Sequence, residues 1–340
     1  MNVENESKKL RQAYFFAFLS SIASVAVGLG STYISRNLMY ASDNADKLAA
    51  SFAFLTLGGV LGACIFVFIA LTPLARIVQP DYHGLKRGTR AFHFHASIGG
   101  LSAAAATGCV LFTYQRGFDP ALVAALGASR LIWMPLYERF RGATESVRSL
   151  LGPSVLLMVG VWLGQGITEV TLSAFVLVFI FSGMLEGMSS VHNKSAVEAT
   201  DAMTATVWRF IYLGIGALTT SVMGLLATQP EKISVYCKMI EHAGFRAVSC
   251  IVILILIIFL ANIWTSRAQK GISMGASRTA VVGNLTVVGM LFALILLYFV
   301  LGTNKFGDLP TEPDIIRLRV IGAFVIMESV IWFVFPKARA

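Results

Sequence analysis

The sequence predicts an all-α membrane protein: ten transmembrane helices in two inverted repeats of five, with both termini on the inner side. Three observations predict it. Of 340 residues, 56% are hydrophobic and only 13% charged, with a mean hydropathy of +0.74. A soluble domain carries roughly 25% charged residues, so the bilayer is the expected solvent. The apolar residues fall into ten segments, and two of these segments recur half a chain apart.

The segments are 13–35, 51–74, 93–114, 120–138, 150–166, 171–192, 206–227, 247–266, 279–301 and 319–335. A helix needs about 20 residues to cross roughly 30 Å of hydrocarbon. The first segment follows Lys8, Lys9 and Arg11 and is longer than a typical signal-peptide core, so it reads as a retained first helix. The fourth, fifth and tenth are short, which fits little tilt or a position beside a cavity. Period-two alternation is absent, which argues against a β-barrel.

Basic residues set the orientation. Sixteen of the 27 lysines and arginines fall in inner segments if the N-terminus is inside, and nine fall in outer ones. Arg130 and Arg209 lie in helices or at their edge. This bias predicts N-in and C-in, with 1–12 and 336–340 as cytoplasmic tails. The net charge of +9 is accounted for in the same way, and no nucleic-acid partner is expected.

The recurrence sets the domain organisation. "LLGPSVLLMVGVWL" from Leu150 aligns with "VIGAFVIMESVIWF" from Val320 at an offset of 170. Gly152 falls on Gly322, Val155 on Val325 and Trp162 on Trp332, while Glu328 replaces Met158. "FAFLTLGG" from Phe52 aligns with "WRFIYLGI" from Trp208 at an offset of 156, and longer loops in the second half, notably 228–246, account for the difference. Two repeats follow, 13–166 and 171–335. Five helices per repeat is an odd number, so the second repeat enters the membrane upside down. Inverted repeats of this kind enclose a site near the midplane in secondary transporters. Ala96, Gly100, Ala104 and Gly108 form one small-residue face; Gly58 with Gly62, and Gly183 with Gly187, form others. Such faces allow close helix packing in lipid.

"DPALVAALGASRLIWMPLYERFRGATESVRSLLGPSVLLMVGVWL", with its Glu138–Arg139 pair, resembles the fourth and fifth helices of the drug/metabolite transporter superfamily, in particular its ten-helix EamA-like members. "TATVWRFIYLGIGAL" resembles the start of that family's seventh helix. "IWTSRAQKGIS" and "GNLTVVGMLFALILLYFVLG" resemble its eighth and ninth. The resemblance covers most of 13–335. It departs at Arg130 and Val287, near places where the family often has proline, and at Gly302–Thr303, where the family often has Gly–Glu. The resemblance implies a secondary transporter, an exporter of a small polar or amphipathic metabolite in the cell (inner) membrane. It implies no enzyme activity and no cofactor, and it places helices five and ten at the periphery.

A charge inside a membrane helix costs about 2.5–3.5 kcal/mol on insertion scales and therefore faces a cavity or a partner. Arg130, about ten residues into the fourth segment, is the first candidate, because its guanidinium stays charged and grips carboxylate or phosphate bidentately. Its alternative role is an ion pair with Glu186 or Glu328. Either glutamate is a candidate proton carrier, which would make a proton the coupling ion. Trp133 and Tyr137 extend the helix face of Arg130 as a candidate substrate-binding wall. Asn262 and Asn284 are candidate ligands or helix-to-helix hydrogen-bonding groups. Arg209, at the start of the seventh segment, is expected to snorkel. His93 and His95 are expected at the interface rather than in a relay. Cys64, Cys109 and Cys250 are expected as buried thiols, with Cys237 in a loop.

No Walker loop, GxGxxG, HExxH or nucleophile elbow occurs, which argues against ATP-driven or hydrolytic chemistry within the chain. The alternatives are a transporter of a nucleotide-linked sugar or lipid-linked intermediate, a membrane-embedded lipid-modifying enzyme using His83, His93, His95 and Asp81, and a non-transporting scaffold. The expected partners are the lipid bilayer and a small-molecule substrate. A homodimer is compatible with all of these readings.

Overall fold

The computed structural model describes residues 3–142, 155, 159–160, 175–271, 282, 285–306 and 312–334. Among the described residues there are helices and no strands. In chain order they are α1 (Val3–Tyr33, continued by a π-helical turn, Ile34–Leu38), α2 (Lys47–Leu71), α3 (Leu74–Val78), α4 (Arg90–Gln115), α5 (Pro120–Gly127) and α6 (Arg130–Phe140). A π-helical stretch, Phe175–Ser182, then leads into α7 (Gly183–Ala199). After it come α8 (Ala202–Thr228), α9 (Ile233–Glu241), α10 (Phe245–Gly271), α11 (Leu285–Leu301) and α12 (Pro313–Val334).

Seven of these stretches are long and apolar enough to cross a membrane, and Leu285–Leu301 is a shorter apolar helix. The chain is therefore a multi-pass membrane protein by length and composition. Its exterior fits that reading, because Phe68, Leu71, Phe299 and Leu296 are all more than half exposed on helix surfaces. The fifth expected segment, 150–166, lies mostly outside the described residues.

Several helix boundaries differ from the expected ones, and the caps explain the clearest cases. Thr89 is extended and its side chain accepts from Phe92 N, so the third helix begins at Arg90 rather than at 93. Asp119 accepts from Ala121 N and Pro120 occupies the first turn, which starts α5 at the expected place. Asp201 accepts from Thr204 N and from the Thr204 hydroxyl, both at 2.9 Å. The seventh helix thus begins at Ala202, four residues before the expected 206. The fourth segment is two helices rather than one, broken at Ala128–Ser129.

Small residues set how closely the helices approach. A Cβ on Gly59 would lie 2.7 Å from the Cβ of Ala217, which pins α2 against α8. Gly58, the expected contact, meets nothing within 4 Å and faces a cavity. A Cβ on Gly100 would lie 2.5 Å from the Arg209 carbonyl oxygen, so α4 and α8 touch backbone to backbone. Gly187 plays the same part for α7 against α6, with Trp133 Cβ 3.3 Å away. Phe66, Phe210 and Phe259 join α2, α8 and α10, with ring centroids 4.0 and 4.7 Å apart.

The helix neighbours include α1 with α10, α4 with α7, α2 with α8, α4 with α8, α2 with α10, α6 with α7, α1 with α11, α2 with α4 and α8 with α10; α2 also meets α9, α11 meets α12, and α7 meets both α8 and α10. Gly160, from the first copy of the recurring stretch, lies against Gly322 and Ile326 of α12, in the second copy. Arg319, at the first position of the tenth expected segment, is buried within α12 and paired with Asp119, the cap of α5.

Candidate functional site

A cavity of ≈ 330 Å³ lies in the middle of the bundle. Six helices wall it, α1, α2, α4, α7, α8 and α10, and Arg130 enters from α6. The charged side chains that face it are Arg130, Glu186 and Arg209.

Arg130 is the first residue of α6, just past the break at Ala128–Ser129. Ser129 Oγ donates to Phe179 O at 2.6 Å and anchors that break to the π-helical stretch. From there the Arg130 guanidinium reaches Glu186 on α7, with Nη1 3.1 Å from Oε2. The two expected candidates are therefore an ion pair on the cavity wall, each about one-third exposed to it.

Arg209 also faces the cavity. It does not snorkel, and the early start of α8 is the reason. With the helix beginning at Ala202, Arg209 sits two turns inside it and beyond easy reach of the helix end. Its Nη1 donates to Asn262 Oδ1 on α10 at 2.8 Å, and its Nη2 donates to Ser189 Oγ on α7 at 2.9 Å. Ser189 passes the chain on, donating to Gly99 O at 2.7 Å. The sequence carries a signal for this arrangement: an Asp201-Ala-Met-Thr204 cap fixes where the helix begins.

Asn262 lines the cavity as expected, and its Nδ2 donates back to Ile258 O at 2.9 Å. Trp133 and Tyr137 share the face of Arg130, yet neither lines the cavity. Trp133 Nε1 donates to Phe179 O at 3.1 Å, and the Tyr137 hydroxyl lies 2.8 Å from His192 Nε2. Glu328 is exposed on α12 and lies away from the cavity. Asn284 lies outside the described residues. Hydroxyls complete the polar wall. Ser20 Oγ donates to Ala261 O at 2.9 Å and lies 2.6 Å from Thr265 Oγ1, joining α1 to α10.

His93 and His95 sit on α4 within two turns of its start. His93 Nδ1 lies 3.1 Å from the Tyr212 hydroxyl. His95 Nδ1 lies 2.9 Å from Nδ1 of His192, which gives a Tyr137–His192–His95 hydrogen-bonded row. Outside the spans, burial, reinforced by Asp201, pushes the phenol of Tyr82 up to about 12. None of the four cysteines is buried: Cys64 and Cys237 are exposed, and Cys109 and Cys250 are half-buried. The apolar segments that hold three of them turn those side chains partly outward. Among the described residues, no three His, Cys, Asp or Glu side chains gather as a metal site would need.

No family model matches the chain, and no curated protein matches it in sequence. Solved structures do match it in shape. One of them, described only as "Crystal structure of protein", superposes with a TM-score of 0.53 at 14% identity, covering 98% of this chain and 99% of that one. The chain thus shares its overall fold, end to end, with a solved protein of similar length.

Proposed function

We propose that this protein is a secondary transporter that exports a small polar or amphipathic metabolite across the cell membrane by alternating access, as the resemblance to the drug/metabolite transporters implies. The observation that carries this reading is the central cavity. It lies within a bundle of membrane-length helices and is lined by Arg130 and Glu186, each near the middle of its span, and by Arg209, two turns into α8. Charges at such positions are expensive in a bilayer unless a water-filled cavity or a ligand faces them. A volume of ≈ 330 Å³ is at the lower end of the roughly 300–1,000 Å³ range of small-molecule sites. That size favours a small metabolite over a nucleotide-linked sugar.

The pattern of neighbours supports ten spans in two inverted repeats. The repeat pairs each early segment with the one five later. Under that exchange, α1 with α10 becomes α7 with α4, and α4 with α8 becomes α10 with α2. Likewise α6 with α7 becomes α11 with α1, and α2 with α4 becomes α8 with α10. The α2–α8 pair maps onto itself, as does the contact of Gly160 with α12. Such self-mapping is expected of two repeats joined by a pseudo-two-fold axis in the membrane plane.

In this reading Glu186 couples transport to a proton. A substrate that engages Arg130 takes the partner of Glu186, and the freed carboxylate accepts a proton. The test is flux. Purified protein in liposomes loaded with a mixture of small metabolites should release some of them faster than Arg130→Ala liposomes, read by mass spectrometry. Release indistinguishable from protein-free liposomes would rule the transporter reading out.

A further inference from the structure

We infer that the cavity is a site for a small amphipathic organic anion, its charged head between Arg209 and Arg130 and its apolar part at the opposite end. This deepens the transporter reading and rests on it for the claim that the bound anion is cargo.

The first argument is charge. The lining holds two guanidiniums and one carboxylate, so the cavity carries a net charge of +1. Arg130 is held by Glu186 at 3.1 Å. The hydrogen-bond partners of Arg209, Asn262 and Ser189, are neutral. Among the described residues, no carboxylate comes within 4 Å of the Arg209 guanidinium. The Nε atoms of both arginines are buried and have no hydrogen-bond partner. Glu186 acts on Arg209 as well as on Arg130, so two cations share one carboxylate, which is costly in a low-dielectric interior. A ligand that brings the missing negative charge relieves that cost. An amine has the reverse problem, since it would meet two cations and one carboxylate already engaged.

The second argument is polarity along the cavity. α1 and α10 run antiparallel: Ser20 meets Ala261 and Thr265, while a Cβ on Gly30, three turns further along α1, would meet Leu254. The Ser20 end of the cavity holds Ser24, Thr265, Asn262 and Arg209. The other end is walled by Leu55, Leu111, Leu213, Ile251 and Leu254, with Ser31 as its hydroxyl. A wholly polar anion would leave that apolar end facing water. An anion with a short apolar part fills both ends.

The test uses the full chain in phosphatidylcholine nanodiscs, with thermal stability and tryptophan fluorescence as readouts. Hexanoate and hexyl phosphate present the two candidate heads on one tail; hexanamide and hexylamine are the neutral and cationic controls. Either anion should raise the melting temperature in a saturable manner, and the controls should not. Equal responses to the amide or the amine, or no response to either anion, overturn the inference. Arg209→Gln should weaken anion binding roughly tenfold or more, the size of one lost charge-assisted hydrogen bond. If Arg209→Gln fails to fold, two further variants carry the test. Asn262→Asp supplies Arg209 with a carboxylate and should weaken binding, whereas Glu186→Gln raises the net charge and should strengthen it. Shifts in the same direction in these two variants would sink the electrostatic argument. Adding phosphatidylglycerol to the discs separates the sources of the anion: loss of the hexanoate response there identifies a lipid ligand, and its persistence a soluble one. Anion binding without anion flux in liposomes refutes the transporter reading and leaves the site. Flux of neutral solutes without anion binding refutes the site and leaves the transporter.

Discussion

Arg130 and Arg209 face one cavity from different walls, and they are held differently. Arg130 stands at a helix break and is matched by a carboxylate on the neighbouring helix. Arg209 stands two turns into a continuous helix and is held by an amide and a hydroxyl on two other helices. A matched charge is nearly neutral as a pair and can exchange partners. A charge held by neutral groups keeps its field and is geometrically pinned. Under the proposed transport reading, the difference would give Arg130 a switching role and Arg209 one of constant attraction.

The largest expected effect comes from breaking the switching side. Arg130→Ala strands Glu186 and should abolish flux while the protein stays folded and inserted, as read by liposome efflux beside a size-exclusion profile. Flux at the normal rate would remove Arg130 from the site. On the pinned side, Gly100→Leu drives a side chain into the Arg209 carbonyl, which a Cβ alone would approach to 2.5 Å. Overpacking of this kind costs roughly 1–3 kcal/mol, and the variant should show a lowered melting temperature. An unchanged melting temperature would mean that α4 and α8 do not touch backbone to backbone.

Glu186→Gln sharpens the contrast without dismantling it. The variant should still exchange substrate between liposome compartments, yet lose any response to an imposed pH gradient. Wild-type flux that is indifferent to the gradient would reduce Glu186 to a counter-ion. The smallest effect is expected for Trp133→Phe. It removes one hydrogen bond to Phe179 O, worth about 0.5–1.5 kcal/mol net. Because Trp133 lies off the cavity, its loss should lower the melting temperature slightly and leave the half-saturating substrate concentration alone. A large change in that concentration would return Trp133 to the binding wall.

What could be read from the sequence follows from which physics is local. The cost of a charge in hydrocarbon is a property of one residue in its segment, so Arg130 and Glu186 stood out. The face shared by Arg130, Trp133 and Tyr137 follows from helical spacing and holds, since all three turn toward the π-helical stretch and α7. How far along that face the cavity extends depends on tertiary packing, and it stops at Arg130. Arg209 is the exception, because its depth depends on where α8 starts, which hydropathy alone places four residues late. His192 went unnoticed because only packing brings it to His95 and Tyr137. Gly58 and Gly59 are adjacent small residues, and sequence spacing could not tell which of them meets α8.

The two bonds of Arg209 have a mechanical consequence. Asn262 belongs to α10, which packs with α1, whereas Ser189 belongs to α7, which packs with α4 and α6. From α8, Arg209 therefore bridges α10 and α7 like a latch, beside the direct bond between these two helices from Asn193 Nδ2 to Gln269 Oε1 at 2.9 Å. Any motion that opens a path between α7 and α10 must release one side of that latch, and the side that lets go first fixes which of the two helices Arg209 travels with.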